Sequence, residues 1–184
     1  MQPPNLPTTL VRQPAPAWRS TAYANDKEIP ISSADYSGRW YVLYWYPLDF
    51  TFVCPTEIRG FQSLLAEFTR DGVAVIGAST DSFFSHQAWF ADRKTFPEVI
   101  THPVIADTNH SVSRAFGVLK EDQGVAFRAT VVVGRPGHRA LAQRQRPQRG
   151  TQPRRSAAHR AGPPERRAVQ RRLAQGTGVR RVSA

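Results

Sequence analysis

The 184-residue chain has a single cysteine, Cys54, which excludes an internal disulfide and a multi-cysteine zinc site. A lone thiol fits a reducing compartment. No apolar run approaches the roughly 20 residues that a membrane-spanning helix needs. The opening Met1-Gln-Pro-Pro-Asn-Leu-Pro7 lacks the basic region and apolar core of a secretory signal, so a cytoplasmic location is expected. His86, His102 and His110 have no metal-ligand spacing and read as structural or surface residues, with neither metal nor organic cofactor expected.

A second set of absences divides the chain. After Val133 there is no aromatic residue, isoleucine, lysine or aspartate. Residues 1–133 carry 11 Lys plus Arg against 13 Asp plus Glu, whereas 134–184 carry 14 Arg against one Glu. The formal charge of +11 therefore belongs to the tail and not to the head. Low hydrophobicity with high net charge leaves too little surface to bury, so 134–184 is expected to be disordered. An arginine-rich arm suits phosphate backbones, but with no aromatic residue for base stacking any nucleic-acid binding would be non-specific, and such a partner is disfavoured.

What is present is concentrated before that break. Trp40 to Tyr46 is an unbroken aromatic and β-branched run that predicts a buried strand. Beyond it, Pro55 suits the first helical position, and Ile58, Phe61, Leu64, Leu65 and Phe68 recur at helical spacing. Cys54 thus falls where a strand gives way to a helix. The free N–H groups and positive dipole end there favour an anion, which for cysteine is the nucleophilic thiolate. Pro47 and Pro55 bracket the loop, Thr51 can present a hydroxyl to whatever the sulfur attacks, and Glu57 can orient a cation.

Further along, Val73 to Ser79 reads as a second central strand and Ser82 to Lys94 as a helix capped by Ser82 or Asp81. His102 to Asp107 and Phe127 to Val133 read as two more strands, with a short helix over Ser111 to Phe116 between them. Ile29 to Ser32 reads as a short strand, and Asp35 to Gly38 as a turn. Tyr44, Trp45, Tyr46 and Trp89 read as core or interface. Alternating strands and helices predict a mostly parallel α/β sheet.

The spacing Pro47, Thr51, Cys54 within Phe50-Thr-Phe-Val-Cys-Pro-Thr-Glu57 closely resembles the active-site motif of the peroxiredoxins, in particular the two-cysteine group that includes the peroxidase component of bacterial alkyl hydroperoxide reductase. The resemblance continues through Asp81-Ser82, Gly117 to Asp122 and Phe127-Arg-Ala-Thr130, covering roughly residues 6–133. It implies a thioredoxin-like α/β fold over 1–133 and a thiol peroxidase acting on hydrogen peroxide or organic hydroperoxides. It further implies that Cys54 is the peroxidatic nucleophile and that Thr51 hydrogen-bonds peroxide and thiolate. Arg128 would stabilise both, Pro47 would shield the site and Glu57 would hold Arg128.

The same resemblance implies a homodimer or larger oligomer and an external thiol reductant, thioredoxin-like or a disulfide reductase. The family's second, resolving cysteine is missing, which leaves open a catalytically impaired or chaperone-like relative. Read one nucleotide later, permitted codons for Gln143 to Arg155 give NVNDLSVGRNPEE, and those for Ser156 to Gln170 give VLRTVLDRLNAELC. The first resembles the family's continuation and the second an amphipathic helix ending in cysteine. The tail from 134 is accordingly expected to be out-of-frame translation.

Overall fold

The computed structural model describes residues 13–135 and the backbone of 139–144. Its centre is the aromatic run: strand β3 (Trp40–Trp45) is buried at every position. Period-two alternation sends Trp40, Val42, Tyr44 and Tyr46 into one hydrophobic cluster and Tyr41, Leu43 and Trp45 into the other. A strand apolar on both faces needs cover on both, so β3 sits in the middle of a seven-stranded sheet.

The other strands of this sheet are β1 (Arg19–Ala24), β2 (Lys27–Ser32), β4 (Val73–Ser79), β5 (Val104–Ala106), β8 (Ala129–Val133) and β9 (Arg139–Arg144). Their order is β2-β1-β5-β4-β3-β8-β9. A separate short ribbon pairs β6 (Leu119–Lys120) with β7 (Val125–Ala126). Helices α1 (Cys54–Ser63), α2 (Leu65–Arg70), α3 (Phe83–Phe90) and α4 (Ser111–Ala115) lie between the strands, the arrangement of a thioredoxin-like fold.

Several expectations change. Only β3–β4 and β4–β5 are parallel, while β1–β2, β1–β5, β3–β8 and β8–β9 are antiparallel, so the sheet is mixed rather than mostly parallel. Apolar content marks a strand as buried but carries no information on its direction. The helix after Cys54 is two helices, because Leu64 (φ −97°, ψ 2°) breaks the ladder between α1 and α2. Pro55 is the second helical residue, Cys54 itself being the first. Helix α3 stops at Phe90 and not at Lys94: the Asp92 side chain accepts from Lys94 N (3.0 Å) and Thr95 Oγ1 (2.6 Å), a local turn that competes with the helix.

The boundary after Val133 also shifts. Gly134 is buried, and Arg139–Arg144 form β9 in antiparallel register along β8, with Val132 opposite Leu141. Disorder over 134–184 therefore does not hold for these residues. The open edge of β8 supplies backbone donors and acceptors, and pairing with them needs no apolar sequence. The rest of the tail reading, including its shifted frame, and the segment 1–12 lie outside the described residues.

Tyr44 shows how tightly the face beneath α1 is packed. Its ring stacks on Phe61 (4.2 Å between centroids, 15° between planes), and Phe61 lies 6.3 Å from Phe68. On the neighbouring strand Gly77 leaves room for this ring, since a Cβ there would stand 2.8 Å from Tyr44 Oη. Phe61 is fully buried. Phe61→Ala is expected to cost about 3–5 kcal/mol, read as a fall in the urea midpoint. A change under about 1 kcal/mol would mean that this face collapses to refill the site.

Candidate active site

Cys54 opens α1 with Val53 as N-cap, and no side chain caps that end. The first-turn N–H groups and the dipole therefore bear on a thiol that is itself only 2% exposed. Glu57, three residues on, shares the same helical face and is buried too.

Opposite them stands Arg128, immediately before β8. The antiparallel register sets Ala129 against Trp45, so the start of β8 meets the end of β3, where the loop to Cys54 departs. From there Arg128 Nη2 donates to Cys54 Sγ at 3.1 Å, while Nη1 donates to Glu57 Oε2 in an ion pair. One planar guanidinium thus binds sulfur and carboxylate together, which a point charge on a flexible stem cannot do.

The electrostatics fit a charge-stabilising site. Burial pushes the Glu57 carboxyl up, and the Arg128 charge and hydrogen bond pull it back. Burial opposes the charged form of Arg128, but its bond to Cys54 and the charge of Glu57 outweigh that, so Arg128 is raised. Tyr44 is held far above its ordinary value by burial, then by the charges of Glu57 and Cys54, and remains a neutral phenol. Its hydroxyl lies 2.7 Å from His102 Nε2. Burial pushes His102 down to about 3. The neutral ring therefore accepts from Tyr44 and donates through Nδ1 to Gln62 Oε1 (2.9 Å).

The loop residues are placed differently. Pro47 is half-buried at the loop entrance. The Thr51 hydroxyl donates to the Leu48 carbonyl at 3.1 Å, so its hydrogen is committed to the turn and not to Cys54. Phe50 adopts φ +56°, a left-handed conformation costing on the order of 1–3 kcal/mol for a bulky residue. Leu48, Phe50, Phe52, Val53 and Phe84 are all exposed, and Phe52 fully so.

The residues themselves picked out Cys54 and Glu57, and the family resemblance added Arg128; the fold brings the three together. The sequence reading missed a cluster behind the loop, formed by the buried Tyr46, Asp49 and His86 with the half-buried Asp81. Only the polar Asp49 following an apolar run hinted at it. His86 is fully buried and His102 nearly so, whereas His110 lies near the surface as the left-handed N-cap of α4. Among the described residues no group of three or more His, Cys, Asp or Glu could hold a metal ion. No helix there is long and apolar enough to cross a membrane.

Residues 11–138 match the model of the AhpC/TSA family. Peroxiredoxin prdx-2 of Caenorhabditis elegans is 43% identical over 132 residues, which are 71% of this chain and 66% of that protein. The thioredoxin peroxidase of Fasciola hepatica is 44% identical over 126 residues, 67% of this chain and 65% of that one. The match thus spans just under two thirds of these relatives' length. Among solved structures, Enterococcus faecalis AhpC superposes with a TM-score of 0.73 at 28% identity, covering 96% of this chain and 98% of that chain. Reduced 2-Cys peroxiredoxin of Plasmodium vivax gives 0.70 at 31% identity over 74% and 86% of the two chains. A thiol at the head of α1 under an arginine from the start of β8, on a sheet shared with these proteins, has one reading: the chain belongs to the AhpC/TSA family, that of the peroxiredoxins.

Proposed function

We propose that this chain is a thiol-dependent peroxidase with Cys54 as its nucleophile. The observation that carries the reading is the Arg128 guanidinium bridging Cys54 Sγ and Glu57. A hydroperoxide entering there meets a helix dipole and a fixed cation, both of which stabilise negative charge on sulfur and on the departing oxygen. Sulfur attacks one peroxide oxygen, the O–O bond breaks, and its electrons leave on the second oxygen. That oxygen takes a proton and departs as water or alcohol, and Cys54 becomes a sulfenic acid, oxidised by two electrons. Glu57 holds Arg128 in place, Pro47 narrows the approach, and Thr51, its hydrogen held by the Leu48 carbonyl, offers its oxygen as acceptor to the peroxide O–H.

Return of the thiol needs two reducing equivalents. A first external thiol condenses with the sulfenic acid, forming a mixed disulfide and water, and a second exchanges with it to restore Cys54. A thioredoxin-like protein or a disulfide reductase supplies those thiols in a cytoplasmic setting, where such groups stay reduced. The exposed apolar residues Leu48, Phe50, Phe52, Val53 and Phe84 support association of the chain with copies of itself.

One equivalent of hydrogen peroxide given to the reduced full chain, with dimedone present, is expected to label Cys54 alone. Addition of dithiothreitol and excess peroxide should give repeated turnover. Absence of both the adduct and turnover would overturn the reading; an adduct without turnover would confine it to a single oxidation.

A further inference from the structure

We infer that Asp49 and His86 are a positioning pair for the loop 47–53, holding the thiol's approach in register with Arg128; this rests on the peroxidase reading above. Asp49 lies in the loop between β3 and α1, and His86 on α3, 37 residues away. Their side chains are 1% and 0% exposed and meet at 2.7 Å between Asp49 Oδ2 and His86 Nδ1. The other carboxylate oxygen accepts from Tyr46 Oη at 2.8 Å. His86 Nε2 faces the Ile105 carbonyl at 3.3 Å. Both ring nitrogens therefore face acceptors.

The loop is gripped at its backbone as well. Asp49 N–H donates to Asp81 Oδ2 at 2.9 Å, and the same oxygen accepts from Ser79 Oγ at 2.8 Å. Asp49 is thus tied to the end of β3 through Tyr46, to the end of β4 through Ser79 and Asp81, to α3 and, through His86, to β5.

The next residue shows what this anchoring holds. Phe50 is in the left-handed region at φ +56°, a conformation that persists only where its surroundings impose it. Its ring lies 5.8 Å from that of Trp89, on α3 three residues beyond His86. One face of α3 therefore grips two successive loop residues, Asp49 through the His86 hydrogen bond and Phe50 through the Trp89 ring. Thr51 follows at once and Cys54 three residues later, while Arg128 arrives from the start of β8, so a shift of the loop moves sulfur and hydroxyl relative to the guanidinium. Among the described residues, Asp49 and His86 bond to each other and to Tyr46, Asp81 and Ile105 rather than to Cys54, so the pair acts on the chemistry through the loop.

The test compares two reactions of the same sulfur in the full chain. Alkylation by iodoacetamide needs an accessible thiolate, whereas peroxide also needs Arg128 and the loop in register. Asp49→Asn is expected to lower the rate of Cys54 oxidation by hydrogen peroxide about 10–100-fold with the alkylation rate unchanged. The double variant Asp49→Asn with His86→Gln should lose no more than Asp49→Asn alone, as members of one unit do. Asp81→Ala frees the Asp49 N–H and Ser79 Oγ but leaves the Asp49–His86 bond, and should give a smaller loss of the same selectivity, which serves if Asp49→Asn does not fold. Equal oxidation rates in variant and parent, a parallel fall in both reactions, or unfolding of both single variants would overturn the inference. If the parent itself does not react with peroxide, the peroxidase reading falls and takes this one with it.

Discussion

Cys54→Ser abolishes peroxide consumption in the presence of dithiothreitol, to the level of the buffer, with the fold retained. Serine fills nearly the same space at the head of α1 and keeps an acceptor for Arg128 Nη2, so the urea midpoint moves little. Its hydroxyl stays protonated at neutral pH, so an alcohol replaces a thiolate as nucleophile. The expected loss is at least about a thousandfold. Because Cys54 is the single cysteine, no other thiol in the chain can take over. A Cys54→Ser protein that still consumes peroxide would place the chemistry elsewhere and end the assignment.

Replacing Arg128 has the second largest effect, and it acts on two quantities. Arg128→Ala removes the guanidinium that donates to the sulfur, with an expected loss of about 100–1,000-fold in the rate of Cys54 oxidation. It also strands the Glu57 carboxylate, which is 7% exposed, at a cost of about 3–5 kcal/mol in stability. The double variant Arg128→Ala with Glu57→Gln separates the two, because a neutral amide needs no cation. Stability should largely return in urea unfolding while the oxidation rate stays low. Arg128→Lys keeps the charge but not the fork that reaches sulfur and carboxylate at once, so it should fall between wild type and Arg128→Ala. Full activity in Arg128→Lys would show that charge alone suffices and that the two-pronged geometry does not matter.

Legibility in the sequence followed the range of the interaction. Trp40 to Tyr46 announced β3 because a strand buried on both faces must be apolar at every position. Ile58, Phe61 and Phe68 announced a helical face because their spacing is a local property of the backbone. Strand β1, Arg19-Ser-Thr-Ala-Tyr-Ala24, carries no such signal and exists because β2 and β5 pair with it on either side. Strand β9 lies in arginine-rich sequence for the same reason, with β8 as its template. The break at Leu64 was equally hidden, since apolar spacing runs through it unchanged.

The amino-acid order alone placed a thiol at a strand-to-helix junction, beside Thr51 and one helical turn before Glu57, because these relations lie within a few residues along the backbone. It also marked Val133 as the point where composition changes, though not as the end of the sheet. Tertiary structure decided that Arg128 bridges Cys54 and Glu57, 74 and 71 residues away, through the antiparallel docking of β8 on β3. It likewise decided that Asp49 meets His86 behind the loop. Local geometry and dipoles can be read from neighbouring residues, whereas the pairing of distant charges depends on strand order and direction, which a hydrophobic pattern does not encode.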